Sequence, residues 1–154
     1  MALFLFVALG CATEPVEPDV ELGAAAETWR QFQDGEVVEL HLGPQGGQHL
    51  AASARIDGLW QGERDDGTDD PRVGFRVTGE EGAVWSAALR AVRRPFVPCA
   101  AGGFELDGGA TVFMVDGAEA LDGRRAQLRV DVEDAFGATA SDARWIEIRV
   151  VSDP

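Results

Sequence analysis

The chain has 154 residues, the length of about one domain, and can bury an apolar core without disulfide staples. Its 27 acidic and 13 basic residues leave a formal net charge of −14, which argues against nucleic acid and anionic lipid surfaces as electrostatic partners. Every basic residue is an arginine and tyrosine is absent, which argues against an aromatic-rich recognition surface.

Residues Met1–Gly10 (MALFLFVALG) are apolar throughout. Ten helical residues span about 15 Å, half of a hydrocarbon core of about 30 Å, so the segment is too short to cross a bilayer but suits a signal-peptide apolar region. Small residues follow directly before a cysteine, in Ala8-Leu9-Gly10-Cys11. This arrangement resembles the lipobox of bacterial lipoproteins, although Ala8 stands where a leucine is usual and the basic residues that normally precede the apolar run are missing. The resemblance implies cleavage before Cys11, lipid attachment to that cysteine and export. The alternative is a buried apolar N-terminal strand with an ordinary cysteine. Residues 11–28 read as an acidic tether: Pro15, Pro18 and five carboxylates over 12–27 favour an extended spacer.

Residues 29–154 read as one β domain. Period-2 alternation puts Val38, Leu40 and Leu42 on one face of 36–42, and Leu50, Ala52, Ala54 and Ile56 on one face of 49–56. Val73, Phe75 and Val77 alternate with Arg72, Arg76 and Thr78. Segment 83–92 fits a strand or a short helix, and the continuous apolar run 110–115 reads as a strand covered on both faces. Ala126, Leu128, Val130 and Val132 alternate with polar residues, as do Ile146, Ile148 and Val150. Six Asp-Gly pairs, at 34–35, 57–58, 66–67, 107–108, 116–117 and 122–123, supply the turns.

These runs predict an all-β fold, an antiparallel sandwich of about seven to eight strands. Residues 121–151 resemble the closing strand pair of immunoglobulin-like domains in bacterial surface proteins, which implies an immunoglobulin-like β-sandwich but no particular function. The Cys–Trp–Cys signature of antibody domains is absent. With Cys11 lipidated, Cys99 has no intramolecular partner, and it reads as a buried small hydrophobe.

The most distinctive local sequence is His41-Leu42-Gly43-Pro44-Gln45-Gly46-Gly47-Gln48-His49. Gly43, Pro44, Gln45, Gly46, Gly47 and His49 resemble a Gly-Pro-Gln-Gly-Gly-x-His element of envelope lipoproteins from GC-rich Gram-negative bacteria, a family without an established activity. A hairpin centred near Gln45 would set His41 opposite His49, about 4.5–5.5 Å apart at Cβ, within reach of one metal ion. Two imidazoles are an incomplete zinc or copper site, which Glu39 or Gln45 could supplement. The alternative is that His49 hydrogen-bonds the glycine-rich turn and His41 is an ordinary surface residue. Segment Glu63–Pro71 carries enough carboxylates for calcium, but it lacks the EF-hand spacing and reads better as a solvated acidic loop.

No serine-hydrolase elbow, zinc-protease helix, P-loop or dinucleotide fingerprint occurs. The sequence therefore points to a non-catalytic, lipid-anchored envelope protein, a binding or structural module with no cofactor. Its expected contacts are the membrane through its anchor, with the outer membrane favoured, and an envelope protein or polymer. The competing expectation is a periplasmic metal-binding protein using His41 and His49.

Overall fold

The computed structural model describes residues 16–24, 28–42, 47–63, 67–87, 91–100, 102–115 and 117–152. The readings of Met1–Gly10, of Cys11 and of Gly43, Pro44, Gln45 and Gly46 lie outside these residues. So does the tether as far as Pro15.

The described chain is almost entirely strand: β1 (Asp19–Ala24), β2 (Arg30–Gln31), β3 (Glu36–Leu42), β4 (Gln48–Asp57), β5 (Arg72–Gly79), β6 (Val92–Arg93), β7 (Phe96–Pro98), β8 (Phe104–Leu106), β9 (Ala110–Phe113), β10 (Arg125–Glu133) and β11 (Thr139–Ser152). A single 3₁₀ turn covers Ala118–Leu121. The glycines of all six Asp-Gly pairs have the positive φ that the sequence requires, between 66° and 87°. At Gly58 the need is also steric, because a Cβ there would lie 2.6 Å from the Glu17 carbonyl oxygen.

Neighbouring strands run in the order β2-β1-β4-β3-β11-β10-β5-β6. β4 joins two sets of partners. Its first residues pair with β3 and β9, and its last with β1 and β8. The sheet then curls until its ends meet. Val84 bridges to Thr78 of β5, and Ser86 bridges to Met114 just beyond β9. The amides of Trp85, Ala87 and Val115 donate to Val77, Phe113 and Trp85 carbonyls, each at 2.8 Å. Buried Ser86 completes this seam by accepting the Val77 N–H on Oγ at 3.1 Å.

One face of this curled sheet is the core. Leu40, Leu50, Val77, Leu128, Ile146, Ile148 and Val112 are all essentially inaccessible. Each such side chain removed from water contributes roughly 1.5–3 kcal/mol, so the alternation seen in the sequence is the driving pattern of the fold.

Three expectations need correction. The fold is all-β, but its pairing is mixed and not wholly antiparallel: β11 runs parallel to β3, from Ile146 opposite Glu36 to Ser152 opposite Leu42. A period of two fixes which side chains face inward but not the direction of the neighbour. Matching Val38 with Ile148 and Leu40 with Val150 buries both apolar faces in either sense. The strand count also exceeds seven to eight, because β2, β6, β7 and β8 have only two or three residues each and carry no readable period. Second, the tether reading of 11–28 fails over β1. Val20 and Leu22 are buried, and Asp19–Gly23 pairs with Ser53–Asp57 of β4. Third, 110–115 is covered on one face only. Val112 and Met114 are buried, whereas Phe113 is 47% exposed.

Candidate functional site

The alternation that buries Leu40 and Leu50 turns His41 and His49 to the outer face. The two are register partners across β3 and β4, and β11 and β9 extend the same row. Val151, His41, His49 and Phe113 thus stand side by side on four adjacent strands. The imidazole rings stack, with centroids 5.7 Å apart and planes at 24°, and the Phe113 ring lies 6.3 Å from His49. Glu39 adds a carboxylate oxygen 3.8 Å from His41 Nε2.

Stacked imidazoles present their nitrogens side by side, so a shared ion would require one ring to turn toward the other. Among the described residues, no group of three or more His, Cys, Asp or Glu side chains is gathered to hold a metal. Gly47, the described residue of the glycine-rich turn, is exposed, has no positive φ and has open space where a Cβ would stand. Cys99 is free and only half-buried, so it is not the fully buried hydrophobe expected.

The acidic loop differs from its expected form at one residue. Asp70 is only 5% exposed, and its Oδ1 is enclosed with no hydrogen-bond partner. The carboxylate lies between two glycines of positive φ. A Cβ on Gly62 would come within 2.5 Å of Oδ1, and one on Gly67 within 3.2 Å of Oδ2. Arg93 holds the loop from outside, its Nη1 donating to the Thr68 and Asp70 carbonyl oxygens at 2.7 and 2.9 Å.

Two further acids were not marked by the sequence reading. Asp142 and Arg144 share the phase of β11 that continues from Ala140 to buried Ile146, and both are half-buried. Asp142 Oδ2 accepts the Leu22 N–H at 2.9 Å and the Arg144 guanidinium at 3.0 Å, which ties β1 to β11. Asp134 organises the turn between β10 and β11. Its Oδ1 accepts the Phe136 and Ala138 amides, and its Oδ2 accepts that of Trp60. The Phe136 ring, 80% exposed, meets Trp60 edge-on at 6.0 Å. The signal for Asp142 was an acid and a base, with Arg144, on the phase that continues as Ile146, Ile148 and Val150; for Asp134 it was its place before Phe136-Gly137.

Elsewhere, the Arg30 guanidinium hydrogen-bonded to Glu36 holds that carboxyl below its ordinary range, against the opposing effect of burial and with help from the Gln33 amide. A small apolar cavity of about 100 Å³ lies between Val73–Phe75 of β5 and Ala110–Val112 of β9. Among the described residues, no helix is long and apolar enough to cross a membrane. Compared with known proteins, the chain matches no family model, no curated protein and no solved structure.

Proposed function

We propose that this is a non-catalytic, lipid-anchored protein of the bacterial cell envelope, exported and acylated at Cys11, whose β domain serves as a binding or structural module. One observation carries the reading: an apolar decapeptide ends at a cysteine, and an ordered all-β domain begins only eight residues later, at Asp19. Such a chain has the parts of an anchored domain in the order anchoring requires: a short greasy leader, a nucleophilic thiol, a brief polar link and a folded body. The net charge of −14 favours cationic or neutral envelope partners over nucleic acid. We also read the architecture as immunoglobulin-like, on the strength of the closing hairpin β10–β11.

Metabolic labelling with palmitate tests the anchor. The wild-type chain is expected to take up label and to sediment with membranes, whereas Cys11→Ser loses both. Absence of label from the wild type, or equal label in Cys11→Ser, overturns the reading.

A second reading rests on the His41–His49 register. The two imidazoles are neighbours on one exposed face, and a turn of one ring would let them offer two of the ligands that copper or zinc takes. Copper and zinc titrations of the wild type and of the His41→Ala, His49→Ala double variant decide it, and identical curves dispose of a metal site there.

A further inference from the structure

We propose that the end of the domain where the N-terminal chain enters rests on the bilayer, with Phe136, Trp60 and Val16 dipping into the headgroup region of a zwitterionic lipid surface. The proposal rests on the anchored reading of Cys11 and adds to it a contact face and an orientation.

Three stretches of chain meet at this end. β1 and β4 pair from Asp19 opposite Asp57. Gly58 then packs so tightly on the incoming chain that a Cβ there would stand 2.9 Å from the Val16 carbonyl oxygen. Two residues on, the Trp60 amide donates to Asp134 Oδ2 and brings the β10–β11 turn alongside. The Phe136 ring there meets the Trp60 ring edge-on at 6.0 Å. Among the described residues, Phe136 at 80% and Val16 at 63% are the two most exposed large apolar side chains. The exposure of Phe136 is built in. Asp134 Oδ1 accepts the Phe136 and Ala138 amides, and Gly137 takes a φ of 83°, so a fixed turn holds the ring outward. The exposed part of the half-buried Trp60 side chain is carbon, because its Nε1 is enclosed. Two exposed apolar groups joined by an indole make a patch, and a patch at one end of a domain marks a contact surface.

The chain ahead of Val16 says what covers it. Cys11 lies five residues before Val16, and five residues reach at most about 18 Å. A lipid on that sulfur holds the membrane surface within this distance of the patch. Aromatic side chains favour the membrane–water interface, where an apolar ring leaves water without crossing the headgroups. A short tether also raises the local concentration of this end at the surface, so a contact too weak to hold a free protein suffices. Charge selects the lipid. Glu17, Asp19 and Asp57 are exposed at the same end, and exposed Arg72 there is matched by Glu133 across the ladder. Such a rim repels anionic headgroups, whereas the ammonium groups of zwitterionic ones sit well against carboxylates. The opposite end of β4 serves as a reference. Phe113 stands across from His49, eight residues from Asp57, or roughly 26 Å at the rise of a strand.

The test uses the acylated protein in vesicles of phosphatidylcholine and phosphatidylethanolamine, with part of the lipid brominated on its acyl chains to quench nearby indoles. Wild-type fluorescence should be quenched. Trp60→Phe should lose most of that quenching, Phe136→Ser should lower it, and Phe113→Ser should leave it unchanged. All variants should sediment with the vesicles, because the anchor is untouched. Unquenched wild type that still sediments overturns the proposal and leaves the anchor standing. Full quenching in Trp60→Phe also overturns it, as does loss of quenching in Phe113→Ser, which would put the other end against the lipid. Trp60 shielded from acrylamide in native membranes, yet blind to brominated lipid, would assign this end to a protein partner and overturn it too. Failure of the anchor looks different: the wild type then takes up no palmitate, and the proposal falls with it.

Discussion

The β10–β11 hairpin and the segment from Ala83 to Val115 are two ways of making the same sheet. In the hairpin, Arg125–Glu133 pairs with Thr139–Glu147 over nine consecutive residues, and Ala126, Leu128, Val130 and Val132 form an unbroken buried row. In the other segment the strands have two to four residues, and the seam that closes the curled sheet rests on isolated bridges at Val84 and Ser86. The first region is held by apolar burial repeated along a ladder. The second buries Trp85, Phe96, Leu106, Val112 and Met114 at separated points rather than along one ladder, and single polar contacts join them, such as Ser86 Oγ on the Val77 amide and Arg94 on the Asp107 and Gly109 carbonyls. A ladder distributes its stability, whereas a seam concentrates it.

That contrast can be broken at its strong side first. Leu128→Ala, at the centre of the buried row, is expected to cost about 2–5 kcal/mol in urea unfolding, and the loss should be global. Ser86→Ala strikes the seam. It strands the Val77 N–H in a buried site and should cost about 1–3 kcal/mol. Hydrogen exchange sharpens the distinction: Ser86→Ala should speed exchange at Val115 while the β10–β11 amides keep their protection.

Two smaller effects probe charge on the same frame. Glu36 is held below the ordinary carboxylate range by Arg30, so its contribution to stability is present above that range and is lost as pH falls through the lowered folded value. Urea midpoints measured at neutral pH and well below about pH 4.3 should therefore drop less in Glu36→Gln than in the wild type. The smallest effect belongs to the exposed Arg129–Asp131 pair on β10, 2.7 Å apart and largely in solvent. Arg129→Ala should change stability by less than about 0.5 kcal/mol, and added salt should shrink even that.

The legible parts of the sequence were those where one physical demand repeats. Val73 to Val77, Ala126 to Val132 and Ile146 to Val150 each announce a half-buried strand. The Asp-Gly pairs announce the turns, and the symmetry of His41 and His49 about Gln45 gave their pairing. β1 was hidden by its surroundings, because Val20 and Leu22 alternate correctly but sit among Pro15, Pro18 and five acids. The parallel pairing of β3 with β11 was unreadable, since side-chain period carries no direction. Two acids were missed for a different reason. Asp134 and Asp142 look like surface residues by type, and only the fold decides which backbone amides reach them.

If Cys11 carries a lipid, the early start of β1 sets a mooring length. A chain reaches at most about 3.3–3.6 Å per residue, so the eight steps from Cys11 to Asp19 span less than about 30 Å even when taut. If the thiol is acylated, the domain rides within roughly its own diameter of the lipid headgroups, with the Asp19–Asp57 end lowermost. It could not sweep a wide volume in search of a ligand. Whatever it engages would have to approach the bilayer, or already be embedded in it.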